Sequence, residues 1–297
     1  MAQRKGWDYV IISPVRDEER YVERTLESVL RQTIRPTRWI IVDDGSRDKT
    51  GNILRQYSQK YDWITVLSID RGGDRELGIT EIQAFAAGYK LVQETAFDFV
   101  VKLDCDLELA PNYFEELMCR FHDDDKLGIA SGSYLEYTGN KWVPIPMPDY
   151  HTAGASKMVR AECFRQVAEF VLCRGWDTVD EIRAQMAGWK TCHFRELPFH
   201  HLKNEGAAAG FLQTSRMHGL IYYLTGGSGP FLMLKVFHRC IFGRPFALAG
   251  LMMLIGFLAP CLSGEPRIVT DQEARFYRRM LNHRITERFH RIFNRAT

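Results

Sequence analysis

Short runs of β-branched and other apolar residues alternate with segments of helical periodicity between residues 8 and 133. Runs typical of buried strands occupy residues 9–12, 39–42, 64–67, 99–103 and 127–130. Apolar residues at helical spacing fill the segments between them, residues 21–32, 50–60, 79–93 and 111–121. Because alternating strands and helices build a sheet whose strands are mainly parallel, the sequence predicts an α/β domain. Its sheet should be mostly parallel and Rossmann-like, with helices on both faces.

Polar residues follow three of the predicted strands where each strand ends. Ligands of such sheets collect at the carboxyl ends of the strands, so these residues are candidates for a binding site. Any one cluster could be an ordinary polar loop, but three at one edge favour a site. The three clusters are Ser13-Pro14, Asp43-Asp44-Gly45-Ser46 and Asp104-Cys105-Asp106.

The acidic run after the fourth strand is typical of a metal site. If the chain stays extended there, the side chains of Asp104, Asp106 and Glu108 project to one side. Three carboxylates on one face repel unless a cation lies among them, and hard oxygen ligands suit Mg²⁺ or Mn²⁺. Such a cation would bind a diphosphate. The alternative is a solvated acidic turn.

Composition excludes several classes of function. The net charge of +2, from 39 basic and 37 acidic side chains, gives no overall field that would attract nucleic acid. The seven cysteines are scattered and form no C-x-x-C pair, which disfavours a disulfide framework or a zinc cage and fits a reducing cytoplasm. The basic N-terminus is followed by an apolar run too short for a signal peptide.

Five motifs in this order resemble the inverting, GT-A type glycosyltransferases of family 2, of the kind that builds bacterial surface polysaccharides. The resemblance covers roughly residues 8–200. The motifs are Val10-Ile11-Ile12-Ser13-Pro14 with Asp17-Glu18, Ser28-Val29-Leu30-Arg31-Gln32-Thr33, Ile41-Val42-Asp43-Asp44-Gly45-Ser46 with Asp48 and Thr50, and Asp104-Cys105-Asp106, followed by Gly175-Trp176-Asp177-Thr178-Val179-Asp180-Glu181 as the segment of the catalytic base.

The resemblance implies a nucleotide-sugar donor, a divalent metal and a role for each matching residue. The nucleotide pocket would include Pro14, Asp17 and Asp44, with the Asp44 carboxylate accepting from the nucleobase and Asp43 doing the same or holding the turn. The metal would be held by Asp104, Asp106 and Glu108, with His201 as a further candidate ligand. Asp104 would also contact the substrate. Arg71, Arg75 and Arg216 are further candidates for diphosphate contacts.

By the same resemblance, Asp180 is the general base that deprotonates the acceptor hydroxyl. Glu181, about 100° further around a helix, should face elsewhere. The alternative is that Asp177, Asp180 and Glu181 are only the acidic first turns of a helix, favourable to its dipole. Arg16-Asp17 stands where the family often has Tyr-Asn, and Val179 replaces a frequent Glu. The chain has no Gln-x-x-Arg-Trp, the signature of processive synthases, so it is expected to add one sugar per event.

The character of the sequence changes near residue 205, which predicts a catalytic domain over residues 1–205 and a helical, membrane-associated region over residues 206–297. Residues 134–152, with three prolines, should form an irregular loop over the site. Residues 245–264 are uncharged and long enough to cross a bilayer, but their prolines and glycines favour a re-entrant or interfacial arrangement. The arginine-rich tail after residue 265 reads as an amphipathic helix on anionic lipid, or as an ordinary packing helix.

Together these features predict a metal-dependent hexosyltransferase at the cytoplasmic face of a membrane. Its acceptor would be a lipid-linked or other membrane-borne glycan. Two alternatives remain: a membrane-associated scaffold that binds nucleotide sugars without catalysis, and a nucleotide-sugar pyrophosphorylase. The second normally needs a Gly-rich loop after the first strand, which residues 11–15 lack. The absence of G-x-G-x-x-G there also disfavours a dinucleotide oxidoreductase.

Overall fold

The computed structural model describes residues 7–69, 79–138, 140–167, 170–203, 210–243 and 245–293. The chain forms two compact units, Met1–Asn204 and Glu205–Thr297.

The described part of the first unit contains one sheet of nine strands, in the order β3-β2-β1-β4-β8-β6-β9-β5 with β7 beside β6. The strands are β1 (Tyr9–Val15), β2 (Arg38–Asp43), β3 (Ile64–Ser68), β4 (Phe99–Leu103), β5 (Leu107–Glu108), β6 (Leu127–Thr138), β7 (Lys141–Pro144), β8 (Ser156–Arg160) and β9 (Lys190–His201). The helices are α1 (Val22–Leu30), α2 (Thr50–Lys60), α3 (Thr80–Tyr89), α4 (Tyr113–Asp123), α5 (Ala161–Gln166) and α6 (Trp176–Met186).

The first four strands along the sheet order are parallel, as the sequence pattern predicts, and β6 and β9 are also parallel to each other. β8 enters between β4 and β6 and is antiparallel to both. The prediction of an irregular loop over residues 134–152 is wrong for its first part. There β6 continues to Thr138 and forms an antiparallel pair with β7.

Alternate residues of the central strands point into two separate apolar cores. Tyr9 and Ile11 of β1 belong to the core that α1, α2 and α4 cover. Val10 and Ile12 belong to the core that α3, α5 and α6 cover. This is the period-two pattern of a sheet buried on both faces. A Cβ at Gly88 of α3 would lie 2.8 Å from side-chain atoms of Ile12 and Val42, so glycine lets α3 pack closely on the sheet.

The second unit is helical, with α7 (Phe211–Leu224), α8 (Gly229–Phe242), α9 (Leu248–Ser263) and α10 (Asp271–Phe293). In α10, Ala274, Tyr277 and Leu281 are buried, and the Tyr277 ring lies against Tyr222 of α7. The first half of α10 therefore behaves as a packing helix. Within the described ranges, none of the helices combines the length and the apolar character needed to cross a membrane.

Candidate active site

The carboxyl ends of β1, β2 and β4 open onto one cavity of the first unit. These strands are parallel neighbours, so their last residues and the turns after them lie at the same edge of the sheet. Four residues predicted from the sequence, Pro14, Asp44, Asp104 and Asp106, line this cavity together. The remaining lining residues are Val15, Arg16, Glu18, Thr80, Glu81, Ala84 and Cys105.

The loops after β1 and β2 are held together by side chains that the sequence assigned to the nucleotide. Asp17 has a positive φ of 55°, unusual for a residue with a Cβ, and its Oδ1 accepts from the Arg47 N–H at 2.7 Å. Asp43 Oδ1 accepts from the Ser46 N–H at 2.9 Å, so Asp43 holds the turn, one of its two predicted roles. Asp44 is 4 % exposed and lines the cavity.

A buried lysine of β4 pairs with the first aspartate of the acidic run. Lys102 is 1 % exposed, and its Nζ lies 2.6 Å from Asp104 Oδ1 and 3.7 Å from Glu81 Oε1. Burial by itself lowers the pKa of Lys102, but the charges of Asp104 and Glu81 outweigh it and hold the pKa above its usual value. The first acid therefore carries a fixed counter-charge, which the sequence pattern did not reveal.

Asp106 is the side chain that best fits a bound cation. Its Oδ1 is buried and has no hydrogen-bond partner within the part of the chain that the structure describes. A buried carboxylate oxygen without a partner destabilises the fold unless a bound ion or ligand interacts with it. Its Oδ2 lies 3.5 Å from His201 Nε2.

The prediction that Glu108 shares a face with Asp104 and Asp106 is wrong. Glu108 lies in β5, where Arg24 Nη2 is 2.5 Å and His200 Nδ1 is 3.4 Å from its Oε2. Burial raises the pKa of Glu108, but the hydrogen bond from Arg24 and its charge outweigh it and hold the pKa below its usual value. Glu108 is thus part of a polar link between α1 and β9.

The prediction that His201 is a metal ligand does not fit the structure either, because both of its ring nitrogens face carboxylates. Nδ1 lies 3.1 Å from Glu136 Oε1, and Nε2 faces Asp106. Burial lowers the pKa of His201, but the hydrogen bond to Asp106 and its charge outweigh it and raise the pKa to about 9. Over the ranges described, no group of three His, Cys, Asp or Glu side chains lies close enough together to hold a metal ion.

The prediction that Asp180 faces the acceptor does not fit the structure. Its side chain is 0 % exposed, and Lys157 Nζ, equally buried, lies 3.2 Å from Oδ1 and 3.0 Å from Oδ2. Asp180 Oδ1 also accepts from the Glu181 N–H at 2.7 Å. Both oxygens are therefore engaged inside the protein.

The expectation that Glu181 faces away from Asp180 is also wrong. Glu181 Oε1 lies 3.9 Å from Lys157 Nζ, because the long lysine side chain reaches both carboxylates. The same oxygen accepts from the N–H and the hydroxyl of Thr152, both at 2.7 Å, and His151 Nδ1 lies 3.0 Å from Oε2. Glu181 thereby ties α6 to the segment that precedes β8.

Asp177, in the first turn of α6, is the partly exposed acid of this segment. Its Oδ1 accepts from the Thr178 N–H at 2.9 Å. Its Oδ2 lies beside Gly154, where a Cβ would be 3.9 Å away. Among the three acids that the sequence offered, Asp177 has the carboxylate that an external group can reach.

Trp176 joins the two acidic clusters. Its indole N–H donates to Glu81 Oε1 at 3.2 Å, and Glu81 lines the cavity. Lys102 and Lys157 are paired in register across β4 and β8, and both ammonium groups lie over the Trp176 ring, 5.4 Å and 4.8 Å from its centroid. The start of α6 is therefore held against the wall of the cavity.

The three arginines predicted to contact the diphosphate remain predictions. Arg71 and Arg75 lie outside the described residues. Arg216 is an exposed residue of α7 in the second unit. Conversely, Glu18, Glu81 and Lys102 belong to the site without having been singled out. For Glu18 the signal was present, since it adjoins Asp17 in the first motif.

Comparison with known proteins gives a consistent result. Residues 10–165 match the family described as "Glycosyl transferase family 2". Among curated proteins, hyaluronan synthase of Pasteurella multocida is 32 % identical over 101 residues, which are 34 % of this chain and 10 % of the synthase. The alignments to curated relatives span from 10 % to 35 % of those proteins' own length.

Two solved structures are similar over most of the chain. A mannosyltransferase of Pyrobaculum calidifontis, in complex with GDP-Man and Mn²⁺, has a TM-score of 0.54 at 13 % identity and covers 90 % of this chain and 77 % of its own. Residues 1–349 of S. aureus TarS, in complex with UDP-GlcNAc, have a TM-score of 0.53 at 15 % identity, covering 91 % and 78 %. At these identities the likeness concerns the fold, and it confirms the predicted α/β architecture of the GT-A type.

Proposed function

The chain belongs to glycosyl transferase family 2, and from that premise we propose that it transfers a sugar from a nucleotide-sugar donor to a glycan acceptor. The transfer would invert the anomeric configuration and add one sugar per event. The observation that carries the proposal is the convergence of Pro14, Asp44, Asp104 and Asp106 on one cavity at the carboxyl ends of three parallel strands. The neighbours solved with GDP-Man and UDP-GlcNAc support a donor of this class.

In this proposal, Asp44 recognises the nucleoside. Its carboxylate lies in the cavity wall beside Pro14 and is almost completely buried, where a hydrogen bond from a nucleobase N–H is stronger than in water. Asp17 and Asp43 act indirectly, by fixing the two loops that hold this wall in place.

Mg²⁺ or Mn²⁺ would be held by Asp106 and Asp104, with the donor's diphosphate completing the coordination. The buried, unpartnered Oδ1 of Asp106 supports this assignment. When bound, the cation would stabilise the negative charge that develops on the leaving nucleoside diphosphate. Lys102 would prevent the repulsion between the two aspartates from disrupting the strand end before the donor binds.

The general base in this proposal is Asp177, in place of Asp180. Asp177 is the acid of α6 that an acceptor hydroxyl can reach, and its neighbour Trp176 is hydrogen-bonded to the cavity residue Glu81. Asp180 has a positioning role: with Lys157 it fixes the first turns of α6, and Lys157 Nζ also donates to the Asp177 carbonyl at 3.2 Å.

The acceptor would be lipid-linked or otherwise membrane-borne, which places the activity at the cytoplasmic face of a membrane. Support for this part comes from the composition of the second unit. From residue 211 to residue 264 the sequence has four Lys or Arg and no Asp or Glu, together with many apolar residues.

The decisive experiment is a screen of the purified full chain for release of nucleoside diphosphate from a panel of sugar nucleotides with Mn²⁺. Release that depends on the metal, is specific to one donor and is lost in Asp106→Ala supports the proposal. Binding of sugar nucleotides without any release, with or without a membrane extract as acceptor source, would instead indicate a scaffold. Formation of pyrophosphate from a sugar phosphate and a nucleoside triphosphate would indicate a pyrophosphorylase.

A further inference from the structure

The second unit exposes most of the large apolar side chains that the described surface presents. Of the sixteen large hydrophobic residues that are exposed within the described ranges, thirteen lie between residues 211 and 262. Isolated exposed apolar residues are ordinary, but a concentration on two adjacent helices is typical of an interaction surface. We name the exposed apolar residues of α8 and α9, with Phe246 between them, the α8–α9 face. Its members are Met233, Leu234, Phe237, Ile241, Phe242, Phe246, Leu248, Leu251, Ile255, Leu258 and Leu262.

In α9 the exposed residues form one stripe. Leu248, Leu251, Ile255, Leu258 and Leu262 follow each other at alternating spacings of three and four, which is one side of an α-helix. The opposite side is occupied. A Cβ on Gly256 would lie 2.0 Å from the Arg216 carbonyl of α7, and one on Gly250 would lie 2.6 Å from the Val236 carbonyl of α8.

α9 is thus apolar all around but packed on one side only. A helix of this kind is normally buried in protein or in lipid, because full exposure of its second side to water is unfavourable. On α8, Phe237 and Phe242 are 67 % and 72 % exposed, and on α9 Leu262 is 85 % exposed. The outer side of the two helices therefore requires an occupant.

Charge indicates which occupant fits. Residues 211–264 carry Arg216, Lys235, Arg239 and Arg244 and no carboxylate at all. If a second copy of this chain covered the face, it would bring like charges together without any acid in the segment to compensate. An anionic lipid surface supplies both an apolar interior for the side chains and negative headgroups for the basic residues.

We propose that the α8–α9 face inserts, with its helices in the plane of the membrane, into the headgroup region of an anionic bilayer. This deepens the membrane location of the proposed function and rests on it. It differs from attachment through the arginine-rich α10, because Ala274, Tyr277 and Leu281 of that helix already pack inside the second unit.

The test is flotation of the full chain with vesicles of phosphatidylcholine containing phosphatidylglycerol, compared with phosphatidylcholine alone. The variants are Phe237→Glu and Leu251→Glu, with Leu251→Gln as a milder change. Leu172→Glu is the matched control, because Leu172 belongs to the first unit and, like Leu251, is 49 % exposed. Circular dichroism and light scattering without lipid check folding and oligomeric state.

We expect the unaltered chain and Leu172→Glu to float with anionic vesicles. In Phe237→Glu and Leu251→Glu the partition coefficient should fall about 10- to 100-fold, the loss expected when a buried apolar side chain is removed. Leu251→Gln should fall less. Metal-dependent nucleotide release, measured without lipid, should be the same in every variant.

Four outcomes would overturn the inference. Variants that float like the unaltered chain would show that another surface binds lipid. Equal binding to neutral vesicles would rule out an anionic partner. A dimer that becomes a monomer in both variants, with no vesicle binding by any form, would assign the face to a second copy. If the chain releases nucleotide but never floats, the membrane location fails while sugar transfer stands. If it floats but releases no nucleotide, the reverse holds.

Discussion

Removal of the Lys157 ammonium group tests how the acidic segment of α6 is held. Its Nζ is completely buried and lies 3.0 Å from Asp180, 3.9 Å from Glu181 and 3.2 Å from the Asp177 carbonyl. Lys157→Met keeps most of the volume of the side chain but leaves two buried carboxylates without their shared cation. Breaking a buried pair in this way typically costs about 3–5 kcal/mol of unfolding free energy.

The cost should depend on pH in a defined direction. Burial raises the pKa of Asp180, and Lys157 opposes that rise in the unaltered protein. In Lys157→Met the opposition is gone, so the folded-state pKa of Asp180 lies further above the value of about 3.9 in the unfolded chain. A raised carboxyl pKa disfavours folding increasingly as pH rises from the unfolded to the folded value. The destabilisation should therefore be larger at about pH 7.5 than at about pH 5.

Urea denaturation of Lys157→Met, Asp180→Asn and the double variant measures this effect. The double variant should be less destabilised than the sum of the single changes, with a coupling free energy of about 0.5–3 kcal/mol. Lys190→Met is the control, because Lys190 pairs with Asp124 on the surface and is 64 % exposed, where ion pairs contribute little to stability. A loss of less than about 1 kcal/mol in Lys157→Met, with no coupling to Asp180, would refute the positioning role of this pair.

Three further predictions concern the metal, the base and a partly buried histidine. Asp106→Asn should weaken Mn²⁺-dependent donor binding by more than about 10-fold in calorimetry, whereas Glu108→Gln should leave donor binding unchanged. The opposite ranking would assign the metal to Glu108. Asp177→Asn should lower kcat by about two to four decades with nearly unchanged donor affinity, and full activity would require another base. Burial lowers the pKa of His151, but Glu181 outweighs it and raises the pKa to about 9. The ion pair therefore stabilises the fold fully below the usual histidine pKa, and its contribution is lost as pH rises through the folded-state pKa of about 9. Thermal unfolding from about pH 6 to pH 10 should show this loss, and His151→Gln should not; equal profiles would exclude the ion pair as its cause.

Part of the candidate site could be predicted because the carboxyl ends of neighbouring parallel strands lie at the same edge of the sheet. The turns after β1, β2 and β4 meet at one edge, so Pro14, Asp44, Asp104 and Asp106 line one cavity although they are far apart in sequence. Glu108 could not be placed in this way. The prediction assumed that the chain stays extended from Asp104 to Glu108, but it forms a turn at Cys105 and Asp106, after which Glu108 lies in β5 beside Arg24 and His200.

The sequence by itself determined the parallel half of the sheet, its two apolar cores and the edge at which polar groups collect, because period-two and helical patterns are local and fix which side of each element is buried. The tertiary structure decided what each acid does. Insertion of β8 beside β4 sets Lys157 opposite Lys102, 55 positions away along the chain, with Trp176 against both. Whether an aspartate is reachable or sealed depends on which distant cation is buried next to it. Asp177 and Asp180 lie about one helical turn apart, yet Asp180 is sealed beside Lys157 whereas Asp177 is partly exposed.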